Sequence, residues 1–593
     1  MENDSPMWEE TTTLSFVSLP TSFTVGSHIG SRILEITTKM GAEQSTLAKH
    51  GYVLQSETEN AVVATKGDDT FIIKRIILYQ ISTDVVPALT TEIEILKAIS
   101  HPHIVNSKHS FKDQGIYYVV MDHCQGGNLA EKIRNRTDSP KESQVLSWIV
   151  EICMALKTIH EKGLIHKHLT PESILLTEFG LVCLGDFGKI HENDIWSVGC
   201  LLYELCTRKA AFSAETTITL MPKIIGGPYP SLPEMFSPEL HQLLSDIFSK
   251  DPQSRPTARE ILERPFIISC LTAKSKTTVK ELQTKLNKLR AVADDLERVH
   301  QGATIGSLAG GVIGAVGGVT SIVGLILAPF TLGASLIVTG VGVGVGTLGG
   351  FTAGASNITN MVNQSSDRKA IRGIIKEFEQ KIKAVVTWLQ EISNSLENIR
   401  SRCDSAETCD ADRQLSLTRL GLRAGRGLGG IAELVRLVQV MNIGRIAAQA
   451  SRAVRVAEAA TGVLSGLFVA VDIFFIAMDA KEIHHIRQAK AAEGATPKSV
   501  SETDTDDSVS ATDQEAPLTS TMMQELDSHT SQAQDQSARN TTPVQSEVMR
   551  FAQSVRQAAH NLQKVLDDLK VIISSIPSLG VERESDWQDM ELM

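Results

Sequence analysis

Apolar residues follow three different rhythms along the 593 positions of this chain. Between Gly51 and Met121 they come as short runs, Tyr52-Val53-Leu54, Phe71-Ile72-Ile73 and Ile116 to Met121, which predict β-strands. From there to Ile268 the spacing lengthens to that of helices. Residues 51–268 therefore predict a two-lobed α+β fold, a small β-rich lobe followed by a larger helical one. The spacing then predicts three amphipathic helices. Lys274 to His300 is charged, with Val279, Leu282, Leu286 and Leu289 at its apolar positions. Asp367 to Ser401 carries Ile371, Ile375, Phe378, Ile382, Val385, Val386 and Leu389 on one side. Pro543 to Ile576 presents Val548, Phe551, Val555, Leu562, Leu566 and Leu569 to a partner that the pattern does not identify.

The third rhythm is an absence of charge. No Asp, Glu, Lys or Arg occurs from Val299 to Ser366. Thr304 to Ala328 reaches about 37 Å as a helix at 1.5 Å per residue, enough to cross a hydrocarbon core. Pro329 breaks it, and Phe330 to Gly354 is a second span, so residues 304–354 predict a helical hairpin. Gly306, Gly310, Gly314 and Gly318, then Gly342, Gly346 and Gly350, form G-x-x-x-G ladders. Such ladders let backbones approach closely in lipid and predict self-association through the hairpin. The alternative is a hairpin packed inside a soluble bundle, with the glycines serving only close packing.

Leu415 to Ala460 reads as an arginine-studded helical stretch; a row that starts just before it at Arg413 and runs through Arg419, Arg423 and Arg426 to Arg455 has Glu433 as the one acid after Asp412. Basic helices beside apolar spans attract anionic lipid headgroups; a solvated helix face is the competing reading. Gly462 to Ala480 is a further apolar segment holding Asp472 and Asp479. Acids there mark either a pH-sensitive or polar path or the exposed face of a bundle helix. Residues 275–490 thus predict an all-α domain, and 544–593 a C-terminal helix and tail. Residues 1–50 and the acidic, Ser/Thr-rich 491–543 predict disorder.

Composition narrows the function classes. A net charge of -12 and a pI near 5.8 argue against bulk nucleic-acid binding, and the arginine-rich stretch lacks interleaved aromatics. Eight cysteines without a C-x-x-C pair point to neither a zinc site nor a disulfide framework. The acidic start MENDSPMWEE does not fit a signal peptide. The expectation is a cytoplasmic, membrane-associated protein whose partners are anionic lipids.

Four ordered motifs carry a resemblance over residues 51–268. HPHIVNSKHSFKDQGIYYVVMDHCQGGNL from His101 is followed by IHKHLTPESILL, GDFG and DIWSVGCLLYELCTRKAAF, then by FSKDPQSRPTAREILERPFI. These strings resemble NIMA-related (NEK-like) Ser/Thr protein kinases. The resemblance implies ATP and Mg as ligands, with Lys74 as the strand lysine and Glu92 as its helix partner. It makes Asp186 the metal ligand and places the hinge at Met121 to Cys124. It also exposes departures. His168 stands at the catalytic-base position, Thr170 replaces a phosphate-facing lysine, and Ser173 replaces a metal-binding asparagine. Gln55 to Thr65 has no glycine where a phosphate-covering loop is needed. Only Lys189 to Asn193 separates D-F-G from Asp194-Ile195-Trp196, which leaves Arg255 without the activation-segment glutamate it would pair with. A longer splice form would restore the loop but still carry histidine at 168. A pseudokinase with weak nucleotide binding is the expectation; an active, membrane-targeted kinase is the alternative.

AGGVIGAVGGVTSIVGLILAPFTLGASLIV and VDIFFIAMDAKEIHHI resemble the apolipoprotein L family, a likeness covering about Thr277 to Arg487. It implies an α-helical, lipid-binding protein with pore-forming or membrane-remodelling activity. The expected whole is multidomain: a kinase-like fold followed by an apolipoprotein L-like bundle with a glycine-rich membrane hairpin.

Overall fold

A computed structural model describes residues 46–309, 353–404, 443–493 and 543–576, apart from 59–60, 68, 79–85, 136–140, 167–168, 186–193 and 215–216. Two compact units divide these residues, one ending at Lys97 but including Asn106–His123, the other holding Ala98–Val105 and everything from Cys124 onward.

The first unit is a five-stranded antiparallel sheet in the order β1-β2-β3-β5-β4, formed by β1 Val53–Glu57, β2 Ala61–Lys66, β3 Asp69–Ile77, β4 Ser107–Asp113 and β5 Ile116–Asp122. Helix α1, Val86–Ala98, belongs to the same unit. Val62 and Ala64 alternate inward on β2, with Ile73 on β3 and Tyr118 and Val120 on β5, as the period of two requires. Leu47 and Tyr52 close this core, Leu47 only 2 % exposed, and Thr46 Oγ1 donates to Asp113 Oδ2 at 2.7 Å. The folded β-lobe therefore includes Thr46 to His50, a short stretch that the Ser/Thr-rich composition around it disguises.

The second unit begins with α2, Leu129–Asn135, and the long α3, Glu142–Glu161, whose Val145, Ile149, Ile152, Cys153 and Leu156 are buried. The short pair β6 Ile174–Leu176 and β7 Val182–Leu184 follows, then α4 Asp194–Thr207, α5 Thr217–Gly226, α6 Pro238–Ile247 and α7 Ala258–Leu262. Helix α7 has a full capping box: Thr257 Oγ1 accepts from Glu260 N, and Glu260 returns a bond to Thr257 N.

Next comes α8, an unbroken helix from Pro265 to Ala309. It leaves the helical lobe through buried Ile267, Ile268 and Leu271 and enters the bundle through Val279, Leu282, Leu286 and Leu289. The bundle is completed by α9 Ala353–Asp404, α10 Ile443–Glu493 and α11 Pro543–Ser574. The apolar positions predicted on α9 are all buried, as are Phe551, Val555, Leu562, Leu566 and Leu569 of α11. The partner of that last helix is intramolecular: Phe551 stacks on Phe474 of α10 at 4.3 Å, and Gln563 bonds Gln283 of α8. The two segments expected on either side of Thr461 are one continuous helix from Ile443.

Candidate functional site

In the β-lobe, Lys74 lies on β3 between Ala61 of β2 and Val119 of β5, on the face opposite buried Ile73. Met121 pairs with Ile72 across the same ladder, and Glu92 precedes the buried Ile93 of α1. The ends of β1 and β2 are tied to each other through Thr58 and Ala61. Thr58 N–H and Oγ1–H both donate to Ala61 O, at 2.8 and 2.9 Å, while Arg75 donates to Thr58 O. A loop that covers phosphates offers free backbone N–H groups; this turn uses Thr58 N–H internally and contains no glycine.

In the helical lobe, Asp194 organises the segment before the catalytic-loop position. One carboxylate oxygen, Oδ2, accepts from the backbone N–H of His166 and faces His160 Nε2, both at 2.8 Å. His166 Nε2 donates to Gly185 O at 2.7 Å. Ser173 is buried and turned inward: its Oγ accepts from Thr170 N at 3.0 Å and donates to Thr170 O at 2.9 Å. Cys124 is a half-buried free thiol. His168 and Asp186 lie outside the described residues, as do Lys189 to Asn193. Arg255 is not partnerless, contrary to the expectation. Its guanidinium lies 4.6 Å over the Trp196 ring and its Nε donates to Ser249 O at 3.0 Å. The aromatic side chain two residues into α4 lies against this cation.

Ser173 spends its proton on the backbone and offers no carboxamide oxygen. The β1–β2 turn presents no glycine cradle.

The membrane-directed residues are placed unevenly. Gly306 falls inside α8; Gly310, Gly314, Gly318, Pro329, Gly342, Gly346 and Gly350 lie outside the described residues, as do Arg413, Arg419, Arg423 and Arg426. Among the described residues, one helical stretch, Gly444–Ala477 of α10, is long and apolar enough to cross a membrane by length and composition. Its Val469, Ile473 and Ile476 are 56, 55 and 58 % exposed, at helical spacing on one face. Asp472 is ion-paired to α9. It accepts from Arg368 at 3.1 Å and Arg372 at 2.5 Å, and Arg372 also lies over Phe468.

A buried polar node escaped the sequence reading. Trp388 of α9 is fully buried, and its Nε1–H donates to His103 Nε2 at 2.9 Å across parallel rings 6.1 Å apart. Lys274 of α8 caps the other side of the indole, 4.9 Å from the ring centroid, and pairs with Glu151 of α3 at 2.5 Å. Glu151 also accepts from Val182 N at 2.8 Å. Beside the node, Lys157 of α3 bonds both oxygens of Glu391, at 2.8 and 2.6 Å. Asn398 donates to Glu263 at 2.9 Å.

The bonding fixes the state of His103. Nδ1–H donates to Val182 O at 2.9 Å, and Nε2 must accept from Trp388. A second ring proton would face the indole N–H head-on. Burial pulls the His103 pKa from 6.5 down to about 3, the Lys274 ammonium adds to the fall, and the bond to Val182 O opposes it. Glu151, although 3.8 Å from Nδ1, is thus no ion-pair partner of a neutral ring. A depressed histidine binds fewer protons folded than unfolded, so its contribution is complete above pH 6.5 and fades as pH falls toward 3. About 2 kcal/mol is expected to be lost by pH 5. Urea unfolding at pH 7.5 and 5.0 measures it. Burial pulls the neighbouring His101 down to about 3 as well, so His103→Gln, which keeps an acceptor for the indole, should lessen the slope without abolishing it; an unchanged slope would rule out a contribution from His103.

Comparison with known proteins matches both halves. The protein kinase domain family model fits residues 58–192 and 189–267, two pieces that meet just beyond D-F-G. The apolipoprotein L model fits residues 273–496. The N-terminal half carries a protein kinase domain and the C-terminal region an apolipoprotein L match, so the chain is multidomain. Similar proteins include the serine/threonine-protein kinases Nek1, Nek4 and Nek3 of Mus musculus. They are 36 % identical over 238 residues, 31 % over 268 and 32 % over 246. These alignments take in 35, 38 and 35 % of this chain and 20, 34 and 48 % of the relatives. The chain therefore spans less than half the length of each of these kinases. Such kinases in general use ATP and Mg.

Proposed function

We propose that this protein is a cytoplasmic, membrane- and lipid-associating effector. Its apolipoprotein L-like helices engage anionic membranes, remodelling or permeabilising them, and its kinase-like lobes act as a scaffold or regulatory module. The observation that carries this reading is the exposed apolar face of α10 at Val469, Ile473 and Ile476, in a bundle whose α8 and α9 contain the two ends of the charge-free run. An amphipathic face of that kind gains free energy from an interface between headgroups and acyl chains. The G-x-x-x-G ladders favour self-association once in lipid. The kinase-like half is read as a pseudokinase: His168, the glycine-free β1–β2 turn and the inward Ser173 leave weak nucleotide binding through Lys74, Asp186 and the Met121–Cys124 hinge. The test is flotation and dye release with phosphatidylglycerol vesicles against phosphatidylcholine vesicles. Binding to the anionic set that Ile473→Asp reduces at least about tenfold is the expected result; equal or no binding to both would refute it.

The Nek-like sequence match favours a second reading, a membrane-targeted Ser/Thr kinase. Phosphate transfer to protein that disappears in Lys74→Met would establish it and end the pseudokinase reading.

A further inference from the structure

Helix α9 buries two faces. One is the apolar stripe through Ile375, Phe378, Ile382, Val385, Leu389, Ile392 and Leu396, which packs within the bundle. The other, turned around the helix, runs through Ala384, Trp388, Glu391, Ser395 and Asn398, and it meets the helical kinase lobe. Trp388 reaches His103, Glu391 reaches Lys157 on α3, and Ser395 and Asn398 meet Leu262 and Glu263 at the end of α7. Every charged group on this second face has a partner of opposite sign or a hydrogen bond, with Lys157 and Glu391 only 11 and 9 % exposed. Lys274 binds three helices at one point: it belongs to α8, pairs with Glu151 of α3, and lies over Trp388 of α9.

We propose that this face of the kinase-like lobe is an intramolecular docking site for the second face of α9, and that it restrains the bundle against opening onto a membrane. The inference rests on the membrane reading above. Helices that turn their apolar faces to lipid must part from one another. Here α8 and α9 cannot part near Lys274 without breaking its contact with Trp388, and α9 cannot leave the lobe without stripping Lys157 and Glu391 of each other. The charge-free run begins within α8 at Val299 and ends within α9 at Ser366, about 25 residues beyond Lys274 on the one helix and about 18 before Ala384 on the other, so the lobe holds the pair away from that run.

Full-length protein tests it with a charge exchange: Lys157→Glu, Glu391→Lys and the double variant. Each single change places like charges together in a mostly buried site. Amide exchange over residues 384–398 should accelerate at least about tenfold, and the fraction floating with phosphatidylglycerol vesicles should rise in step. The double variant should return both readouts toward wild type. Trp388→Phe keeps a ring but removes the indole N–H, and should give an intermediate response if the charge variants fold poorly. Unchanged exchange in all variants would overturn the docking site. Faster exchange with vesicle binding equal to a wild type that itself binds would overturn the restraint. Faster exchange with no binding by wild type or any variant would overturn the membrane reading, and the restraint with it.

Discussion

Trp388→Ala is expected to lower the unfolding free energy of the helical unit by about 3–5 kcal/mol, among the largest effects of any single truncation in it. Three losses combine. The indole is fully buried, so its removal leaves a cavity bordered by α3, α8 and the loop bearing His103. His103 Nε2 loses its donor in a place that water does not reach. Lys274 loses the ring that lies under its ammonium. Denaturant unfolding followed by far-UV circular dichroism measures the change. Trp388→Phe should fall well short of the alanine effect, because it retains most of the volume. A loss below about 1 kcal/mol for alanine would mean that the contact is not formed in solution.

Lys274→Met should be comparably severe, about 3–5 kcal/mol, for a different reason. The methionine fills the space of the lysine stem, so packing is largely kept. What remains is a Glu151 carboxylate, fully buried, with Val182 N–H as its one hydrogen-bond donor among the described residues. Burial already holds the Glu151 pKa above its ordinary value, against the pull of Lys274. Without that ammonium the carboxyl is pushed further up. A raised folded pKa favours the folded state as protons bind, so Glu151 should return more stability to the variant as pH falls below 7 than it does to the wild type. Adding Glu151→Gln should restore most of the loss, since a neutral pair removes the stranded charge. If the single variant unfolds within about 1 kcal/mol of wild type, the pair is solvated.

Much of the architecture could be read from apolar spacing alone. Val279, Leu282, Leu286 and Leu289 mark the buried side of α8, and the predicted stripe on α9 is buried throughout. Both sets are continuous in type, and the period of 3.6 makes them conspicuous. The strands of the β-lobe were legible for the same reason, in Phe71–Ile73 and Ile116–Met121. The second face of α9 was not. Its residues are alanine, tryptophan, glutamate, serine and asparagine, and no hydropathy pattern separates such a set from a solvated flank. Only Trp388, directly beside the stripe residue Leu389, was a signal, since a tryptophan on the polar side of a helix needs a home. Lys274 and Glu151 were still harder to find, because isolated charges on helices lie in water far more often than in a buried ion pair whose members stand 123 positions apart. The catalytic-loop departures were plain in the sequence, while the inward closure of Ser173 and the stacking of Arg255 on Trp196 depend on tertiary placement.

The unbroken α8 makes the junction between the two family-like halves a matter of angular phase. Kinase-domain similarity ends at residue 267 and apolipoprotein L similarity starts at 273, both within one helix. Each residue of an α-helix turns the chain by about 100° and advances it 1.5 Å. A single insertion between Cys270 and Ala273 would therefore swing Lys274 away from Glu151 and rotate every later contact of α8 by more than a quarter turn. A graft of another helical region onto this lobe would have to respect that pitch, as a shaft keyed to a gear does. The length of the joint is thereby under the same constraint as the core, although no ligand or catalytic group lies in it.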